Sequence, residues 1–413
     1  MVHFALVASF VTQLSAVAES SMSYNDAVFQ THETTESGGK EFLLGDGVYT
    51  VRVGFVALAE SDRSRHFAEY RAGYQGFTIH GEQNTQEHRG EAASELDVTD
   101  RWTLRLADRF MFGSANTVME LGAPVFVGQQ LGATSGTTIQ SGPSNFFENA
   151  FRLTADYNAD ERWVAQPEVG YELFFPTEVF GSAEVPFNHV VYERFRLQRG
   201  FQRTRVFMRE EQGVLLPPQG RAKQGISTLT FGVGHNWVDE FETRAELGAT
   251  LAENFDSGDK KPAPYVALSA IYRTERLQLG LDTGYENTVN IEFGGLNDVY
   301  FVDGSVLWRP NDTLAFECAS GWRRQLFLGF GPRSSVQVDT IDAWYQMVGG
   351  FYHVNEEVTL FARQFFRHQE TDYVPNARDS MNRLFADITY NRLVFVGGVR
   401  MEWPRVSQRR IRH

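Results

Sequence analysis

The sequence predicts an all-β chain, an antiparallel up-and-down transmembrane β-barrel of about 16–18 strands. Three observations predict it: period-two alternation in segment after segment, connections that alternate short and long, and tryptophans close to segment ends. Alternation places successive side chains on opposite faces of a strand. In residues 241–251, Phe241, Thr243, Ala245, Leu247, Ala249 and Leu251 alternate with Glu242, Arg244, Glu246, Gly248 and Thr250. The same pattern recurs with Leu277, Leu279 and Leu281 against Gln278 and Asp282, and with Leu393, Phe395, Val399, Met401 and Trp403 against Arg400 and Glu402.

Taken in order, the strands are expected near 48–59, 65–79, 86–98, 101–113, 145–157, 162–175, 187–198, 201–211, 225–237, 240–252, 263–273, 276–287, 298–309, 313–324, 341–353, 357–368, 380–390 and 393–403. Short polar turns such as Val238-Asp239 and Asn355-Glu356 separate longer loops at 115–143, 176–186, 212–224, 254–262, 288–297, 325–338 and 369–378. Such segments are long for a globular sheet and suit a tilted strand crossing a bilayer. Trp102, Trp163, Trp237, Trp308, Trp322 and Trp403 stand where aromatic girdles meet the membrane interfaces. A soluble sandwich would alternate in the same way, and strand length, loop order and these aromatics decide against it.

This register starts the strand at 48 on the loop side and ends the last strand there too, whereas bacterial barrels keep both ends in the periplasm. Residues 24–32 can supply an extra first strand, which repairs the start alone, so one hairpin near the C-terminus is expected to be misassigned. The chain therefore divides into a signal peptide over residues 1–18, with an apolar run at 4–18 and a small-x-small site ending at Ala18; an N-terminal segment at 19–47; the barrel at 48–403; and a basic tail at 404–413.

Composition sets the outer limits. The 413 residues are 42% hydrophobic and 14% aromatic, with a formal net charge of -14, and the mean hydropathy is -0.32. A disordered chain is excluded. So is a helical membrane protein, since no run approaches the roughly 18–20 apolar residues a spanning helix needs. So acidic a chain is no nucleic-acid binder. Cys318 is alone and forms no intramolecular disulfide, and no Cys/His spacing suggests a metal, so neither cofactor nor metal is expected. Cys318 shares the apolar face of Leu314 and Phe316. Its histidines fall in no G-x-S-x-G or H-E-x-x-H context, so no enzyme is expected.

Only four of the 38 basic residues are lysines. The arginines concentrate on the polar faces, which in a membrane barrel line the lumen. The candidate lining is Arg105, Arg109, Arg194, Arg196, Arg203, Arg205, Arg209 and Arg244 with Glu168, Glu172, Glu242 and Glu246. A basic stripe at 187–211 suits anionic or hydroxyl-rich solutes; equally, interior Arg and Glu pair to fill and stiffen a wide barrel. Asp108 falls on the face of Leu106 and Phe110 that should meet lipid, where a bulge could turn it inward or interfacial depth could lower its cost.

The run GYQGFTIHGEQNTQEHRGEAASELDVTDRWTLRLADRF, residues 73–110, resembles outer-membrane barrels encoded with exopolysaccharide export systems of Gram-negative bacteria, the exopolysaccharide-associated β-barrel porin type. It carries Glu82-Gln83-Asn84, then His88, a turn at 99–101, and Leu104 and Leu106 ahead of Asp108-Arg109-Phe110. Residues 23–31, SYNDAVFQT, are similar to the mature N-terminus of that family. The likeness extends to about residue 175 and is one of pattern beyond it, and the tail after Trp403 departs from barrels that end on an aromatic. The resemblance implies an outer-membrane location, outer-membrane lipid as surroundings, a secreted polysaccharide as cargo and a periplasmic polysaccharide-export component as partner. The alternative is a general or solute-specific diffusion porin passing another hydrophilic solute.

Overall fold

A computed structural model describes residues 13–33, 40–79, 84–114, 145–160, 162–176, 188–216, 223–290, 295–328, 338–373 and 390–403. These residues form eighteen strands: β1 (Gln13–Glu33), β2 (Lys40–Glu60), β3 (Ser64–Phe77), β4 (Thr85–Asp97), β5 (Trp102–Ser114), β6 (Asn145–Asn158), β7 (Trp163–Pro176), β8 (Asn188–Phe201), β9 (Thr204–Leu216), β10 (Gln224–Val238), β11 (Phe241–Asn254), β12 (Lys260–Arg273), β13 (Leu277–Asn290), β14 (Gly295–Trp308), β15 (Leu314–Phe327), β16 (Val338–His353), β17 (Val358–Tyr373) and β18 (Tyr390–Trp403). Each pairs antiparallel with its chain neighbours, and β1 pairs with both β2 and β18, which closes the sheet. Closure leaves no full-length edge, the condition for a sheet to cross a bilayer.

Two expectations about strands are corrected. No strand stands between β17 and β18, where one is expected at 380–390: the two pair directly, Val358 opposite Met401 through Gln369 opposite Tyr390. Residues 380–389 lie outside the described residues, and the misassigned C-terminal hairpin is this one. At the other end β1 begins at Gln13, not near residue 24. The presumed cleavage site falls inside it, with Ala16, Val17 and Ala18 opposite Trp403, Glu402 and Met401 on one side and Phe55, Gly54 and Val53 on the other. Along it the outward residues, Leu14, Ala16 and Ala18, are apolar and the inward ones, Ser15 and Val17, are uncharged, a composition that an apolar leader shares. With β1 in place, Gln13 and Trp403 both lie at the short-turn end, so both ends of the barrel share one side.

The short turns repeat one local device. A side-chain oxygen at the turn's start accepts backbone N–H groups two or three residues on, replacing the ladder partner the chain loses as it reverses. Thr99 Oγ1 takes the N–H groups of Arg101 and Trp102 at 3.2 and 3.1 Å. Asn311 Oδ1 takes those of Thr313 and Leu314 at 2.9 and 2.8 Å, and Asn355 Oδ1 those of Glu357 and Val358 at 2.9 and 2.8 Å. At Asp160 the acceptor is charged: N–H groups of Arg162 and Trp163, at 2.7 and 2.8 Å, hold its carboxyl below the usual range.

One part of the wall is incomplete above its middle. The β12–β13 ladder stops at Val266–Tyr285, although β12 continues to Lys260 and β13 to Asn290. Pro262 and Pro264 lie on this stretch of β12, paired with Leu251 and Ala249 of β11. A proline has no N–H to give, so it is tolerated where the strand has a free edge. The upper end of β14 leans over the inner face of β10 and β11. There Leu296 packs on Ile226 and Ala252, and its N–H reaches Gln224 Oε1 at 3.2 Å.

Candidate functional site

The two faces of the wall have opposite chemistry. Outward positions carry exposed apolar side chains on nearly every strand, among them Val51, Val53 and Phe55, Leu104 and Leu106, Leu229, Phe231 and Val233, and Phe395 and Met401. Inward positions carry most of the charges. Trp102, Trp163, Trp237, Trp308 and Trp403 lie on the outer face at the short-turn end. Trp322 differs: eight residues along β15, opposite Val302 and Trp344, it marks a second aromatic level with the ring pair Tyr285–Tyr300. Eight residues of a strand tilted about 40° climb roughly 20 Å, close to the apolar height of an outer membrane. Cys318 faces outward between these levels, opposite Val306 and Val348.

Asp108 stays outward. The ladders of β5 with β4 and β6 run without a register shift, so no bulge turns it, and Asn149 Nδ2 donates to its carboxylate at 2.8 Å. Glu193 and Glu210 are further acids on the outer face, the latter accepting from Gln212 Nε2 at 3.0 Å.

On the inner face, the candidate residues fall into rows across strands. Arg105 bonds Glu95 at 2.8 Å and also Asp156. Arg109 reaches Glu148 at 3.0 Å. Arg194 bridges Glu168 at 3.1 Å and Glu211 at 2.9 Å. Arg205 pairs with Glu242, while Glu246 is shared by Arg244 and, at 3.3 Å, by Arg209. Glu172 lies inward on β7 between Ala150 and Val190. Arg203 is a correction: it belongs to the two-residue turn between Phe201 and Thr204, is exposed, and donates to the Trp237 carbonyl at 3.0 Å. The tight turn ends the alternation one pair early and leaves Arg203 off the wall. The expected loop at 115–143 lies outside the described residues.

The most deeply buried charges were not among the candidates. Arg52 Nη1 donates to Glu19 at 2.6 Å and its Nε to Glu87, with side-chain exposures of 3%, 1% and 2%. Glu19, Arg52, Gly73 and Glu87 form one row over β1 to β4. Gly73 is what lets Arg52 and Glu87 meet: a Cβ there would come within 2.7 Å of Glu87 Cγ and 3.1 Å of Arg52 Cγ. The same device recurs over β15 to β17. Arg363 Nε donates to Glu317 at 2.5 Å across Gly349, where a Cβ would meet both partners at 2.8 Å. An inner-face glycine between strands bearing opposite charges is the sequence signal for these pairs, and it can be read only once the register is known.

Around Phe207 the arginines crowd. The Arg196 and Arg244 guanidiniums lie 4.4 and 4.6 Å from its ring centroid, and Arg209 lies 5.1 Å from that of Tyr265. On β10, Gly232 and Gly234 make room: a Cβ at Gly232 would sit 2.1 Å from the Phe207 ring, and one at Gly234 would sit 2.8 Å from Arg205 Nε. Tyr192 has Arg194 over it at 5.8 Å, and Phe174 packs on Val190 and Leu215. Among the described residues no group of three or more His, Cys, Asp or Glu side chains is placed to hold a metal ion.

No family model matches the chain, and no curated protein matches it. Solved structures do. One variant of the FrpB iron transporter from Neisseria meningitidis is 9% identical with a TM-score of 0.43; the match covers 91% of this chain and 64% of that one, so this chain spans less than two thirds of it. A second FrpB variant is 8% identical with a TM-score of 0.45, covering 95% and 83%. The siderophore receptor PirA from Pseudomonas aeruginosa is 8% identical with a TM-score of 0.42, covering 94% and 80%. Identities of this size say nothing of cargo. The barrel's own construction places it: a closed sheet, an apolar jacket, two aromatic levels and a charged inner wall belong to a β-barrel of the outer membrane.

Proposed function

We propose that the protein is a channel carrying a hydrophilic cargo across the outer membrane, and that the cargo is a secreted polysaccharide. The observation that supports transport is the inner wall, charged or polar on every strand from β3 to β11 inside a barrel whose strand number encloses a lumen. The cargo rests on the likeness of residues 73–110 to exopolysaccharide-associated barrels. In this reading the short turns and both strand ends face the periplasm, where an export component would dock, and the longer connections face outward. Deleting the gene should abolish surface polysaccharide and leave small-solute uptake intact. Unchanged polysaccharide with altered solute permeability would overturn the cargo and leave a channel.

The second reading, a diffusion porin, is favoured by one observation. The inward rings of Phe207, Tyr192 and Tyr265 lie beneath guanidiniums, which leaves them unavailable as platforms for sugar rings.

A further inference from the structure

Among the described residues, Arg196 is the one guanidinium of its cluster with no carboxylate in direct contact. It stands directly opposite Arg209 across the β8–β9 ladder, an arrangement that costs free energy because like charges face each other. Arg205, Arg209 and Arg244 each have a glutamate; among the described residues Arg196 has no carboxylate partner, and its buried Nε–H has no acceptor. Four guanidiniums thus have only two carboxylates in direct contact, Glu242 and Glu246, with Glu211, Asp282 and Glu286 acting on Arg209 and Arg244 from farther off. Phe207 holds two of them in place, its ring laid across Gly232 and bracketed by Arg196 and Arg244. The cluster is not sealed: the Arg205 and Arg244 side chains keep 38% and 31% of their surface exposed toward the lumen.

From this geometry we infer that Arg196, with Arg209 and Arg244 around Phe207, forms a binding site for an oxyanion on the cargo, a carboxylate or sulfate borne by an acidic saccharide. The inference deepens the channel reading and rests on it for the identity of the ligand's carrier. An oxyanion supplies the missing negative charge, and guanidinium forks meet carboxylate and sulfate oxygens with paired hydrogen bonds. A neutral saccharide would leave the Arg196–Arg209 opposition unrelieved.

The test is calorimetric titration of the purified full chain in detergent with trigalacturonate, and with maltotriose as the neutral probe. Trigalacturonate should bind and maltotriose should not. Arg196→Gln should abolish the trigalacturonate signal, and Arg196→Lys, which keeps the charge and loses the fork, should retain a weakened one. Arg203→Gln, at the turn, should match the wild type. Heat-modifiable migration on gels shows that each variant still folds. Equal binding by wild type and Arg196→Gln, equal binding of the two saccharides, or no binding by the wild type each overturns the site. Planar-bilayer current separates this from the channel reading: a wild-type protein that binds trigalacturonate and passes no ions refutes the channel and keeps the site.

Discussion

Replacing Arg52 with methionine leaves Glu19 and Glu87 facing each other's side of the wall with their shared counter-charge gone. All three side chains are almost wholly out of contact with solvent. Removing one partner of a buried pair costs about 3–5 kcal/mol, because the charge left behind is neither hydrated nor paired. Arg71, 3.7 Å from Glu19, offsets part of this for one carboxylate, and among the described residues no second cation pairs with Glu87. The expected loss is therefore near the lower bound, about 3 kcal/mol, or roughly two orders of magnitude in the folding equilibrium. Urea titration of the protein in lipid vesicles, followed by tryptophan emission, measures it. The triple variant Arg52→Met, Glu19→Gln, Glu87→Gln should recover most of that loss, since it removes the stranded charges along with their partner. A loss below about 1 kcal/mol for Arg52→Met alone would refute the reasoning, because exposed pairs lose no more than that; the row would then be hydrated from the lumen.

Gly349→Ala should lower stability by about 1–3 kcal/mol, the usual cost of forcing atoms into a filled space, since its Cβ would meet Arg363 and Glu317 at 2.8 Å; an unchanged unfolding midpoint would contradict it. A chain starting at Glu19 loses the rungs that residues 13–18 make with β2, and those of residues 16–18 with β18, so its yield of heat-modifiable folded barrel should fall sharply; a mature N-terminus at Glu19, sequenced from cells, would contradict a β1 that begins at Gln13. The Asp160 carboxyl titrates lower in the fold than in the unfolded chain, so the turn's contribution is present above about pH 4 and fades as pH falls through the depressed value. Asp160→Asn should accordingly flatten the acid limb of the unfolding midpoint against pH, and an unaltered limb would count against the turn. Cys318, outward between the aromatic levels, should react in vesicles with a membrane-soluble maleimide and resist a charged thiosulfonate; preferential labelling by the charged reagent would invert the assignment of faces.

Much of the barrel was legible because period two is a local signal. In β11 it assigned every side chain from Phe241 to Leu251 to the correct face, and it placed Arg194, Arg196, Arg205 and Arg244 inward. The number eighteen matches the expected list with a different membership, since β1 stands outside that list, where residues 24–32 are only an extra strand, and no strand at 380–390 stands between β17 and β18. Both errors have the same origin: alternation shows that a segment can be a strand and says nothing of its partner. The β1 residues were ambiguous because their inward positions stay uncharged until Glu19. Partnership also hid the Glu19–Arg52–Glu87 row, whose members are 33 and 35 residues apart, and the opposition of Arg196 and Arg209, which depends on a two-residue turn at 202–203. Asp108 broke the pattern locally and kept its outward place, satisfied by a side chain on the next strand.

The upper stretch of β12, laddered to β11 on one side and not to β13 on the other, bears on how a barrel keeps from pairing with another chain. A barrel escapes strand-to-strand aggregation by having no edge, yet residues 260–265 restore a short one. Natural edges are blunted with proline and lysine, which withhold donors and impose repulsion, and this stretch reads Lys260-Lys261-Pro262-Ala263-Pro264-Tyr265. Half of the chain's four lysines are spent on these six residues. A β-strand from a neighbouring molecule would find few hydrogen-bond donors and two positive charges there, so the gap in the wall is proofed against recruiting a nineteenth strand.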